Sequence, residues 1–243
     1  MIVDLHNHLL PGIDDGAPNM LTALELAKMA VVDGITHMVC TPHIHLGRYD
    51  NDARIIQRVA YEFQRALHEN NIPLEIAFGA EVRICPEIVT MLKERKLPFI
   101  GEWEGRPVLL LELPSNSIPV GTDKMIDWLV QEGVTPMIAH PERNHVLQQQ
   151  EDKLGDLIAA GCLTQVTAGS VLGNFGVEAK YAAMSMIKKD MVTVLASDAH
   201  NARYRPPQMK NAVHYLASEI GSERAIQLVL DNPYKIAQSQ FYA

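Results

Sequence analysis

Seven short apolar runs, spaced so that a helical stretch fits between successive members, constrain this chain more than any other feature of its sequence. The runs are Met1–Leu5, Ile35–Cys40, Leu74–Ala80, Val108–Leu113, Val134–Ala139, Leu163–Thr167 and Val192–Ala196. Their length and near-continuous hydrophobicity suit parallel strands buried on both faces. Helical patterning covers roughly Met20–Val32, Asp52–Asn70, Glu87–Lys96, Lys124–Gln131, His145–Ala160, Glu178–Lys188, Pro207–Ile220 and Ser222–Leu230. Strands alternating with helices imply a parallel α/β sheet with right-handed crossovers. Periodicity alone does not choose between an open sheet and a closed barrel. In either form, function belongs at the C-terminal ends of the strands.

The polar residues at those ends are therefore the next signal. Run one leads directly into His6-Asn7-His8, whose alternate side chains share one side of an extended chain. The second ends in Cys40-Thr41-Pro42-His43, the third at Glu81, and the fourth at Glu112. The fifth ends in His140-Pro141-Glu142-Arg143, and the seventh in Ser197-Asp198-Ala199-His200. One HxH in a chain with ten histidines says little. Six strand exits that each bring an imidazole or carboxylate to one face say much more. Buried carboxylates repel one another unless paired or metal-bound, so a polynuclear cation site is expected.

Composition narrows the class further. The 243 residues are 47% hydrophobic and 21% charged, an ordinary globular balance, and one domain over residues 1–243 is expected. The formal charge of −8, with no block of Lys and Arg, argues against nucleic acid as a partner. No apolar run approaches the roughly 18 residues of a membrane span, so no membrane insertion is expected. The first residues lack the pattern of a signal peptide, which predicts a cytoplasmic protein. Cys40, Cys85 and Cys162 are widely spaced, fit a reducing compartment and form no CxxC pair.

Leu5-His6-Asn7-His8, Pro11-Gly12-Ile13-Asp14-Asp15-Gly16, Thr41-Pro42-His43, Gly79-Ala80-Glu81, His140-Pro141-Glu142-Arg143 and Ser197-Asp198-Ala199-His200 resemble, in order, the polymerase-and-histidinol-phosphatase superfamily. More narrowly, they resemble the bacterial metal-dependent tyrosine-protein phosphatases of capsule and exopolysaccharide operons. The resemblance implies a distorted (β/α)7, TIM-like barrel and a three-metal site, filled by Mn2+ with Fe, Zn or Mg as alternatives. It implies metal ligands His6, His8, Asp15, His43, Glu81, Glu112, His140, Asp198 and His200. Arg143 and Arg205 match the phosphate-binding arginines. The implied substrate is a phosphotyrosyl protein, a bacterial tyrosine autokinase, and a homo-oligomer is compatible with the family.

An imidazole and carboxylate donor set without thiolate suits these ions. Cations bridged by a carboxylate such as Glu81 lower the pKa of a shared water enough to supply hydroxide near neutral pH. In-line attack on phosphorus follows, with Arg143 and Arg205 neutralising the phosphoryl oxygens as planar forks. A leaving tyrosine phenolate, with a pKa of ~10, needs little protonation. His43 or His200 would assist, and the sequence does not assign which.

Thiol phosphatases place an Arg six residues after the nucleophilic Cys. The corresponding residues here are Leu46, Met91 and Ala168, so thiol catalysis is not expected. No Gly-rich nucleotide loop is present, and no nucleotide cofactor is expected. A small-molecule phosphatase, such as one for histidinol phosphate, is the nearest alternative activity. Amidohydrolases also combine HxH with a late Asp, but no strand exit here offers their carboxylated Lys. A non-catalytic metal-binding regulatory module is the third reading, although such modules typically lose ligands or arginines. His37, His68, His145 and His214 read as packing or surface residues. His45, Tyr49 and Tyr204 lie in loops near the expected site, and the tyrosines are candidates for stacking on a substrate ring.

Overall fold

A computed structural model describes residues 1–241. Its strands are β1 (Ile2–Asp4), β2 (Ile35–Cys40), β3 (His43–Ile44), β4 (Glu75–Phe78), β5 (Glu81–Arg83), β6 (Glu102–Trp103), β7 (Arg106–Glu112), β8 (Thr135–Ala139), β9 (Leu163–Thr167) and β10 (Val194–Ala196). Two parallel paths run through them, β1-β2-β4 and β10-β9-β8-β7-β5-β3; the short β6 alone is antiparallel, on β7.

The paths join because β3 continues the line of β2 and β5 that of β4. Across the interruptions, the Gly79 amide donates to the Cys40 carbonyl at 2.8 Å and Glu81 to Pro42 at 3.1 Å. Pro42 has no N–H to offer a ladder. At Gly79 a side chain would stand 2.6 Å from Ile100, so glycine lets the 97–101 loop approach closely. Seven strand lines therefore form a ring. Its last seam, β10 to β1, closes only at the exit end, through an Asn7–Ala199 bridge. Asp198 donates to the His6 carbonyl and His8 to the Ala199 carbonyl there, both at 2.8 Å. The expected distorted α/β barrel is present.

Alternate strand residues sort into two cores, as a period of two requires. Val3, Leu5, Val108, Leu110, Met137 and Ala139 belong to one cluster with Ile236 and Ala237. Leu109, Leu111, Ile138 and Leu195 belong to the larger cluster shared with the surrounding helices.

The helices are α1 (Met20–Asp33), α2 (Ala53–Glu69), α3 (Ile88–Lys93), α4 (Thr122–Gln131), α5 (His145–Gln149), α6 (Asp152–Ala159), α7 (Ala168–Leu172), α8 (Val177–Lys188), α9 (Lys210–Ile220), α10 (Ser222–Ile226) and α11 (Asn232–Phe241). Local caps explain the two long early ones. Asn19 accepts from the Thr22 amide, and Asp52 from Arg54 and Ile55.

Several expected boundaries change. The expected strand Leu74–Ala80 shortens to Glu75–Phe78, and Glu81 begins β5 instead of following an exit. The expected helix His145–Ala160 breaks into α5 and α6 beside Glu151. That carboxylate binds Ser185 at 2.8 Å and Lys189 at 2.9 Å, a tertiary demand that periodicity does not register. The helix expected to reach Leu230 becomes α10 and a π-helical turn over Gln227–Asp231, followed by α11, for which sequence patterning gave no expectation. Pro233 lies inside this continuous helical run, directly after the π-helical turn, where the i→i−4 ladder is already interrupted. Tyr242 and Ala243 lie outside the described residues.

Candidate metal centre

Strand geometry delivers the polar groups to one rim. His43 and Glu81 are register partners across β3 and β5, and Arg83 and Glu112 across β5 and β7. His6, His8, Glu81, Glu112, His140, Asp198 and His200 are buried, while Asp15 and His43 remain more open. His140 and Asp198 have φ of 33° and 51°. Left-handed backbone at non-glycine residues costs of order 1–3 kcal/mol and typically collects at functional sites.

Nine residues singled out in the sequence fall into four overlapping groups whose donor atoms lie within 4.8 Å of one another. These are His8, Asp15, His43 and His200; His6, His8 and Glu81; His6, His140 and Asp198; and His43, Glu81 and Glu112. Glu81 stands at the crossing point. Its Oε1 lies 2.7 Å from His140 Nε2, and its Oε2 lies 2.9 Å from His43 Nδ1 and 3.3 Å from His6 Nε2. Asp198 Oδ1 faces His6 Nε2 at 3.4 Å and His8 Nε2 at 3.5 Å. Arg143 and Arg205 both donate to the other Asp198 oxygen.

Electrostatics supply a test of fit to cations. Buried Asp198 Oδ1 and His200 Nε2 have no hydrogen-bond partner, an expensive condition unless something else satisfies them. Burial and the adjacent Glu81 push the Glu112 carboxyl up to about 7. Burial, then the charge of Arg143, depresses His140 to about 4, and burial with His8 depresses His200 to about 2. His140 and His200, held neutral, keep the lone pair a metal needs, while at His6 and His8 the neighbouring carboxylates outweigh burial and raise the pKa. Asp198 stays well below the usual carboxylate range, because Arg143, His6, His8 and Arg205 outweigh its burial. Nitrogen and oxygen donors, orphaned buried atoms and mutually repelling carboxylates fit two or more divalent cations.

Sequence reasoning passed over the residues that orient these donors. Asp14 accepts from His8 Nδ1 at 2.7 Å and from the His43 amide at 3.0 Å. Gln165 Oε1 lies 2.8 Å from His6 Nδ1. Each fixes one ring nitrogen, so that the other points into the cluster. Glu142, fully buried, accepts from the Thr167 amide and the Ser170 hydroxyl and anchors the turn that carries Arg143. Two of these had a signal: Asp14 adjoins Asp15, and Gln165 interrupts the one strand whose exit brings no ligand. Phe175 had none. Its ring lies 4.7 Å from the Arg143 guanidinium carbon and 5.8 Å from that of Arg205.

Of the loop residues, Tyr49 stacks on His43 with ring centroids 5.6 Å apart, while Tyr204 is 70% exposed. His45 joins none of the four groups. The thiols stand apart: burial raises Cys40 and Cys85 and pushes Cys162 up to about 12.

Fold and donor set together define a class, parallel α/β barrels that gather imidazole and carboxylate at their strand exits. Within it, the family described as capsular polysaccharide synthesis, CpsB/CapC, matches residues 2–238, and the chain belongs to that family. Tyrosine-protein phosphatase YwqE of Bacillus subtilis is 32% identical over 222 residues, covering 91% of this chain and 86% of that protein. Tyrosine-protein phosphatase CpsB of Streptococcus pneumoniae is 28% identical over 98% of this chain and 99% of its own length. A crystal structure reported for YwqE and CpsB as metal-dependent tyrosine phosphatases superposes with a TM-score of 0.91 at 31% identity, covering 98% of this chain and 95% of that one.

Proposed function

We propose that this chain is a metal-dependent, thiol-independent phosphatase of phosphotyrosyl proteins. The observation that carries the reading is the junction of four imidazole–carboxylate groups with two arginines at Asp198, in a family whose named relatives are tyrosine phosphatases. His6, His8, Asp15, His43, Glu81, Glu112, His140, Asp198 and His200 would hold the cations, with Mn2+ the proposed metal. Bound cations supply Lewis-acid polarisation of the phosphoryl group and an acidified water.

The chain's own residues do the rest. Asp14 and Gln165 hold His8 and His6 in one ring orientation, which lowers the cost of assembling the donor set. Arg143 and Arg205 are held by Asp198 and Phe175 as two forks suited to phosphoryl oxygens. The depressed pKa of His200 suits a neutral ligand and disfavours a proton donor at that position. The proposed physiological substrate is a bacterial tyrosine autokinase governing capsule or exopolysaccharide synthesis, and the proposed location of this chain is the cytoplasm. No helix among the described residues is long and apolar enough to cross a membrane.

The test compares verified metal-free protein with protein reloaded with Mn2+, on a phosphotyrosyl peptide and on histidinol phosphate. The reloaded protein is expected to hydrolyse the peptide faster, and the metal-free protein neither. Full activity without metal, or a preference for histidinol phosphate, would overturn the reading.

A further inference from the structure

Two loops at the mouth of the site repeat one pattern that the proposed chemistry does not use. Residues 45–49 read His-Leu-Gly-Arg-Tyr, and residues 200–204 read His-Asn-Ala-Arg-Tyr. Each loop is folded back by an antiparallel bridge, His45 to Tyr49 and Asn201 to Arg205. Each is ordered from within by a side chain. Asp50 accepts from the Gly47 amide at 2.7 Å, and Asn201 from the Tyr204 amide at 2.7 Å. In both, the arginine lies over the ring of the tyrosine that follows it: 5.0 Å for Arg48 on Tyr49, and 5.0 Å for Arg203 on Tyr204.

The loops flank a single entrance. One begins two residues after His43 and the other at His200, and those two rings lie 6.1 Å apart. Neighbouring rings run from His200 through His8 and His43 to Tyr49, with centroids 3.8, 4.5 and 5.6 Å apart, the first two pairs tilted and the last stacked, and they end under Arg48. Arg83, Arg143 and Arg205 are each committed to a carboxylate. Arg48 and Arg203 are exposed and, among the described residues, have no carboxylate partner. Two free guanidiniums held in place by cation–π contact are unexpected on a chain of charge −8 with 29 acidic residues. A phosphorylated acidic segment would be repelled by the molecule as a whole, and a local positive rim is what would draw it in.

We propose that Arg48 and Arg203 form a substrate-reading rim that favours Asp or Glu flanking the phosphotyrosine. The inference rests on the phosphotyrosyl-protein reading above and adds the sequence class of the polypeptide. Arg48→Gln/Arg203→Gln removes the rim charge without touching the metal-binding groups or Arg143 and Arg205.

Three phosphotyrosyl peptides of equal length, flanked by Glu, Gln or Lys, are compared with p-nitrophenyl phosphate on the metal-loaded enzyme. The unchanged enzyme is expected to favour the Glu peptide over the Lys peptide by about tenfold in kcat/KM at low salt. That ratio shrinks towards one at about 1 M salt, where the screening length is about 3 Å. In the double variant the three peptides converge while p-nitrophenyl phosphate turnover stays the same. Equal rates on all three peptides in the unchanged enzyme, or an ordering that survives in the double variant, overturn this inference alone. Failure to hydrolyse p-nitrophenyl phosphate and every peptide overturns the parent reading with it.

Discussion

Each oxygen of Asp198 has its own surroundings. Oδ1 faces imidazoles, and Oδ2 accepts from Arg143 and Arg205. Because Arg143 also holds Asp198, removing Arg205 should leave the carboxylate charged and in place. Arg205→Ala is therefore expected to lower turnover about 100- to 1000-fold, roughly 2.7–4 kcal/mol of barrier, with metal content unchanged by elemental analysis. Arg205→Lys should recover only part, since an ammonium lacks the planar fork. Arg203→Ala is the control on p-nitrophenyl phosphate and should be close to normal. A near-normal Arg205→Ala enzyme would remove that residue from the phosphate site. Phe175 tests the same pair from beneath. Its ring sits 3.0 Å from where a Gly169 side chain would begin, so that glycine makes room for it. Phe175→Leu keeps bulk but loses the π face, and should weaken inhibition by inorganic phosphate about 3- to 10-fold. Phe175→Tyr should keep it, and equal inhibition constants in all three proteins would exclude a positioning role.

Between elements, the seam of β1 and β10 is the weakest part of the ring, and side chains fasten it. Asp4 accepts from the Ser197 amide at 2.9 Å and from its hydroxyl at 2.6 Å. Burial nonetheless raises the Asp4 carboxyl from 3.8 to about 6. A raised carboxyl takes up a proton in the folded state, so its contribution is greatest below about 4 and declines as pH climbs to about 6. Asp4→Asn cannot titrate. In metal-free protein, the stability of Asp4→Asn relative to the unchanged chain should rise by up to roughly 3 kcal/mol across that window. Denaturant unfolding at several pH values measures the difference. A difference that does not vary with pH would mean that Asp4 is not buried as a titrating group.

At the scale of the whole molecule, the barrel gathers buried charge that its own side chains leave incompletely matched. Cations bound to the folded state alone stabilise it by mass action, about 4 kcal/mol at a thousandfold excess over Kd for one site. For a chain of this size that corresponds to a melting point roughly 10 °C higher. Chelation should lower Tm by about this much, and Mn2+ should restore it better than Ca2+. Calcium prefers more and longer oxygen contacts than a rim of imidazoles provides. A melting curve indifferent to chelator would show that the cluster holds no metal.

The sequence by itself determined the strand–helix alternation and which residues stand near strand exits. Both follow from local periodicity: apolar runs such as Val134–Ala139 must be buried on both faces, and His6 and His8 two apart must share a side. Strand exits also bring His6, His8, His43, Glu81, Glu112, His140, Asp198 and His200 to one rim, because a parallel sheet sends all its exits the same way, whereas Asp15 and the phosphate-binding role of the two arginines are implied by the family resemblance alone. Tertiary structure alone decided where the lines break and what orients the donors. The Gly79 break answers to Ile100, about twenty residues on, and the break before α6 answers to Ser185 on α8 and Lys189 at its C-terminal cap. Gln165 reaches His6 across 159 positions, and Phe175 meets Arg143 and Arg205 from a loop with no periodicity of its own. Such contacts depend on which distant surfaces the closed ring brings together, and no window of sequence contains both partners.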